Sequence, residues 1–132
     1  MADAAFKNHD SVNYIGFDLF EDATEASDDY EMNTKPHNSI EAVKKRLTDY
    51  ATEVFNKGKT FTFQLHKGDS KLTIPKCKEV NKADFAFIDG GHSYETVKED
   101  YKNLKKISLL VFDDYFSKDQ EGNLPKESNM GV

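Results

Sequence analysis

The chain is poor in the features that mark several protein classes. Its 132 residues hold one cysteine, Cys77, so no internal disulfide can form and a disulfide-stapled domain is excluded. A lone Cys77 in a Lys-rich loop reads as incidental rather than as a nucleophile, and the expected setting is a reducing cytoplasm. No apolar run approaches the length of a bilayer span, and the first residues carry no signal-peptide pattern. Positive charge is scarce: 18 Lys and Arg against 24 Asp and Glu leave a net charge of −6. The lysines alternate with acids instead of clustering, which argues against a nucleic-acid surface. Repeats and low-complexity tracts are absent too. What is left is one domain over residues 1–132 with a single core, no membrane and no nucleic-acid partner.

What is present is a set of short strands that end on acids. Residues 1–6 read as the end of a helix, and Tyr14 to Phe20 reads as a strand dense in aromatic and β-branched residues. The acidic, polar stretch Glu21 to Pro36 suggests a long loop or mobile lid. Asn38 is expected to cap a helix, with Glu41 completing a capping box and Ile40, Val43, Leu47, Ala51, Val54 and Phe55 on one face up to a stop at Gly58. Thr60 to His66 alternates strictly as a strand ending at Gly68-Asp69-Ser70. Phe85 to Ile88 is an apolar strand, and Ser93 caps a helix with Tyr94, Val97, Tyr101 and Leu104 as its buried stripe. Leu109 to Phe112 is the last strand, and residues 117–132 are expected to be an irregular tail. Alternating strands and helices imply an α/β domain, with a parallel sheet covered by helices on both faces.

Each of the four strands finishes at or beside an acid: Asp18, Asp69, Asp89 and Asp113. Taken singly, each acid is as well explained as a turn or cap residue, and His92 as an ordinary hydrogen-bonded histidine. The joint pattern is harder to dismiss, because ligands of open α/β sheets bind at this C-terminal edge. Asp89 and the Asp113-Asp114 pair fall on successive tips, where three carboxylates would raise one another's pKa unless a cation shares the site. A hard divalent ion such as Mg²⁺ suits them, taking a few carboxylates and leaving positions for substrate oxygens. His92, three residues beyond Asp89, is then placed as a general base, a task suited to a histidine's ordinary pKa. Asp18 and Asp69 stand where acids can hold ribose hydroxyls and an adenine amino group.

With those residues in view, the chain resembles the class I S-adenosylmethionine-dependent methyltransferases. The segments that carry the likeness are Tyr14-Ile15-Gly16-Phe17-Asp18, Gly68-Asp69-Ser70, Asp89-Gly90-Gly91-His92-Ser93-Tyr94 and Val111-Phe112-Asp113-Asp114-Tyr115. The Asp-Gly-x-His-x-Tyr segment is the most specific and is similar to the macrocin-type and catechol-type metal-dependent O-methyltransferases. The resemblance implies a Rossmann-like fold and S-adenosylmethionine as cofactor. It implies that Asp18 holds the ribose, that Gly68, Asp69 and Ser70 meet the adenine, that Asp89, Asp113 and Asp114 hold the metal, and that His92 is the base. The reaction implied is in-line methyl transfer to a hydroxyl of a small molecule or sugar.

The chain also departs from that family. No strand with a Gly-rich loop precedes the Tyr14 strand, no closing strands follow, and Lys105-Lys106-Ile107-Ser108 stands where many relatives carry Pro-Gly-Gly. The expectation is an incomplete sheet, an internal segment of a methyltransferase domain whose Tyr14 and Phe85 strands lack the neighbour between them. Two rival functions stay open on the residues: a metal-dependent phosphoesterase, and a degenerate Rossmann-like binding module that kept the fold and lost the chemistry.

Overall fold

A computed structural model describes residues 2–31, 33 and 36–113. The elements run α1 (Ala2–Ala5), β1 (Ser11–Asp18), α2 (Glu25–Tyr30), α3 (Ile40–Asn56), β2 (Thr60–Lys67), α4 (Ser70–Thr73), β3 (Phe85–Ile88), α5 (Tyr94–Leu104) and β4 (Leu109–Phe112), with 3₁₀ turns at Phe20–Asp22, Ile74–Lys76 and Lys78–Lys82. The alternation gives the expected α/β class, an incomplete Rossmann-like arrangement of parallel strands and helices. No helix among the described residues is long and apolar enough to cross a membrane.

The strands pair as two separate parallel ribbons. β1 pairs with β2 from Ser11 opposite Thr60 to Asp18 opposite Lys67. β3 pairs with β4 from Phe85 opposite Leu109 to Ile88 opposite Phe112. Among the described residues no ladder joins β1 to β3, the break anticipated from the sequence. The ribbons nevertheless share a core. One face of the first packs Val12, Phe61 and Phe63 against Val54, Leu47, Tyr50 and Ala51 of α3 and against Phe6. The opposite face turns Ile15 and Phe17 towards a second cluster built on Ile74, Cys77, Val80, Ile88, Leu104 and Ile107. Side chains of a strand point alternately to its two faces, so β1 serves both clusters.

Helix starts differ in detail from the sequence expectation. Ser39, not Asn38, caps α3, its hydroxyl accepting from the Ala42 amide, while the Ile40 amide donates to Glu21 Oε2 at 2.7 Å. The first amides of a helix have no internal acceptors; the Ser39 hydroxyl supplies one, and a carboxylate brought from 19 residues away supplies a second. Part of the acidic stretch is ordered as α2. A capping box between Thr24 and Ser27 starts it, and Asp28 bonded to His37 at 2.7 Å holds its flank. Lys67 pairs with both Glu21 (2.6 Å) and Asp22 (2.8 Å). That ammonium, with backbone amides, holds the Glu21 carboxyl down at about 2.

On α5 the Ser93 cap stands as expected, but the buried stripe does not. Val97 and Leu104 are buried, whereas Tyr94 and Tyr101 are exposed and Thr96 and Asp100 are buried in their place. The reason is a polar neighbour: α5 packs on α4 and on Glu31, so two polar side chains find partners inside. Phe85, Phe87, Leu109 and Val111, which alternate along β3 and β4, are exposed on the face away from α5.

Candidate functional site

The first ribbon brings Asp18 next to Gly68–Ser70. Asp18 ends β1, and its backbone carbonyl accepts from the Gly68 amide at 2.9 Å, closing the two tips on each other. Its Oδ1 accepts from the Phe20 amide at 2.6 Å, so the carboxylate also shapes the turn that follows. That turn carries Phe20 at φ 53°, a left-handed conformation rare for an aromatic residue, and buries its ring. Asp18 therefore caps the turn, and its side chain remains exposed at the edge. Gly68 has φ 127°, which L side chains rarely adopt. Replacing it by Ala should cost about 1–3 kcal/mol in chemical denaturation, since the strain adds to a 3.3 Å approach of the new Cβ to Thr73. An unchanged midpoint would show that the tip relaxes freely.

Asp69 caps α4, its Oδ1 accepting from the Lys71 amide at 2.9 Å, with Lys71 Nζ at 3.7 Å from Oδ2. Ser70 begins α4 and hydrogen-bonds Asp100 of α5. The predicted cofactor residues thus share one edge, half-buried to exposed.

The second ribbon brings Asp89, His92 and Asp113 to a common crevice. Its walls are Ile88, Asp89, Gly90, Gly91, His92, Val97, Phe112 and Asp113. The enclosed space is on the order of one water molecule, so any larger ligand would lie across its mouth. The Asp113 amide donates to the Ile88 carbonyl at 2.9 Å, extending the parallel pairing by one residue and aligning the two acid-bearing tips. Both Asp89 and Asp113 are exposed. Asp114, the third predicted metal ligand, lies outside the described residues, as do Tyr115 and the 117–132 stretch. Among the described residues no group of three His, Cys, Asp or Glu is disposed to hold a metal ion. Carboxylates are the donor type that a hard cation takes.

The structure adds residues that were not singled out in the sequence. Asp100 is 5% exposed, and its Oδ1 has no hydrogen-bond partner. Burial pushes its carboxyl up to about 6; the bond from Ser70 and the Lys71 charge pull down, and the charges of Asp69 and Glu31 push further up. Lys71 Nζ lies 3.3 Å from Thr96 Oγ1, and Glu31 accepts from the Ser93 amide and the Thr96 hydroxyl. These side chains link the two ribbon tips through the α4–α5 contact. The buried i, i+4 pair Thr96 and Asp100 was the available signal: polar residues on the core side of an amphipathic helix imply partners.

A family model described as a methyltransferase domain matches residues 1–115. No curated protein matches the chain, and no solved structure does.

Proposed function

Because the chain belongs to the methyltransferase-domain family, we propose that its two ribbon tips divide between cofactor binding and methyl transfer to a hydroxyl of a small molecule or sugar. The observation that carries this reading is the convergence of Asp89, His92 and Asp113 on one crevice, with Asp18 and Gly68–Ser70 on the other ribbon's tip. S-adenosylmethionine is the cofactor the family implies, and when bound it supplies a sulfonium methyl open to in-line attack. Asp18 would accept from the ribose hydroxyls, and Asp69 with Gly68 and Ser70 would line the adenine. The donor set fits: Asp18 has an exposed carboxylate, and Asp69 is half-buried with its oxygens turned to amide and ammonium donors.

His92 acts as the proton acceptor. Methyl transfer to the acceptor oxygen would release the hydroxyl proton, and the His92 imidazole would take it. Asp89 and Asp113, joined on the sequence expectation by Asp114, would offer hard oxygens to a divalent cation. A cation held there supplies positive charge that favours loss of the hydroxyl proton.

Calorimetry with S-adenosylhomocysteine tests the cofactor half. The unmodified chain should bind it, and Asp18→Asn should bind about tenfold more weakly, because the amide keeps the turn acceptor but loses the charge that strengthens the hydroxyl bonds. Absence of binding by the unmodified chain at millimolar ligand would sink the reading in favour of a degenerate module. Repeating the titration with Mg²⁺, on the chain and on Asp113→Asn, tests the metal. Identical heats in all arms would remove the ion from the proposal.

A further inference from the structure

We propose that Glu31 is a positioning residue for this site, fixing where His92 stands by bonding the turn that carries it. This role rests on the reading of His92 as proton acceptor. Glu31 follows directly on α2, and its amide donates to the Ser27 carbonyl at 2.9 Å, so the helix fixes its backbone. From there it reaches the start of α5, 62 residues away. Oε2 accepts from the Ser93 amide at 2.9 Å, Oε1 from the Thr96 hydroxyl at 2.5 Å, and the backbone carbonyl from the His92 amide at 3.4 Å. One residue therefore binds three donors spread over the first turn of α5 and the histidine just before it. A carboxylate there also satisfies an amide that the helix leaves without an internal partner and meets the positive end of its dipole.

Gly91 shows how closely the two segments fit. A Cβ on Gly91 would overlap the Glu31 carboxyl and crowd its Cγ. The obstacle is the end of a side chain, which could usually swing aside. Here three hydrogen bonds hold the residue in place, so a methyl at position 91 has to dislodge Glu31 or move the turn. The Asp89-Gly90-Gly91-His92 segment thus carries its second glycine where Glu31 lies, and one residue of the acidic stretch braces the turn that lines the crevice.

The consequence is a specific non-additivity. Glu31→Ala and Gly91→Ala remove the same contact from opposite sides, so each should move the His92 ring signals in a histidine-labelled NMR spectrum of the full chain. Combining them should add nothing to the larger single shift. Glu31→Gln, close to isosteric and able to keep one acceptor, should return the signals part of the way towards the unmodified chain. His66, stacked on Phe17 in the other ribbon, is the internal control and should not move. His92→Gln assigns the resonance. Unmoved His92 signals in both Glu31→Ala and Glu31→Gln would overturn the role, as would shifts of Glu31→Ala and Gly91→Ala that sum in the double variant. These spectra need no cofactor, so a failure to bind S-adenosylhomocysteine would count against the methyl-transfer reading and not against the placement of His92.

Discussion

His92→Ala should lower methyl transfer by about 10²- to 10⁴-fold while leaving S-adenosylhomocysteine affinity within about twofold. The split follows from the geometry. His92 lines the crevice of the second ribbon, and Asp18 and Gly68–Ser70 are on the first. A base that takes the acceptor's proton contributes to the reaction and little to holding the cofactor, so the loss should fall on turnover. The assay follows radiolabelled methyl from S-adenosylmethionine into a panel of catechols and sugar hydroxyls, beside calorimetry on the same preparations. Equal losses of turnover and affinity would mean that His92 supports the fold of the crevice instead. Unchanged turnover would remove it from the chemistry.

Asp100→Asn should make the chain more stable at pH 7.5 and by clearly less at pH 4.5. The folded-state carboxyl titrates near 6, above the usual 3.8, chiefly because burial disfavours its charged form. A group with a raised folded pKa adds stability while protonated, and that stability is lost as pH rises through the folded value. Between the two values the folded chain binds the extra proton, so stability falls with rising pH across that window. Above pH 6 a buried charge is carried with one oxygen unpartnered. The rise from 3.8 to about 6 corresponds to an upper bound of about 3 kcal/mol, which the amide would recover without losing the Ser70 bond. Asp69 and Glu31 oppose ionisation of Asp100 and Lys71 favours it, so all three must be kept in the comparison. Urea unfolding at the two pH values reads the difference. A destabilised Asp100→Asn at pH 7.5 would show that the ionised carboxylate is a satisfied partner of Lys71 rather than a strained one.

The strand tips were legible in the sequence because they are local: Phe85–Ile88 and Leu109–Phe112 are short apolar runs that stop on aspartates, and chain order makes them neighbours. The Ser93 cap was legible for the same reason. The separation of the two ribbons matches the expectation that the Tyr14 and Phe85 strands do not pair with each other. Other features depended on the rest of the fold. Helix α2 is opened by a box that closes on Ser27, where a Glu or Gln is the usual sign, and it lies in a stretch too acidic to suggest order. The α3 start shifted from Asn38 to Ser39 because either residue type can cap and only the backbone decides. Tyr94 and Tyr101 gave α5 a convincing apolar period, but the side facing α4 is polar and selects Thr96 and Asp100. Glu31 left no local trace, since every partner of its carboxylate is about sixty residues downstream.

The gap between the ribbons bears on how tightly any ligand can be held. β1 and β3 share no backbone ladder among the described residues, so their tips are tied through the apolar cluster around Ile88, the side chains of Lys71, Thr96 and Glu31, and the Glu31–His92 main-chain bond. Ties of that kind open at lower free energy than a continuous sheet, so the two tips are expected to open separately in hydrogen exchange. A molecule that touches both must draw on its own binding energy to keep them closed. Its apparent affinity is then the intrinsic affinity reduced by the fraction of time the jaws are shut.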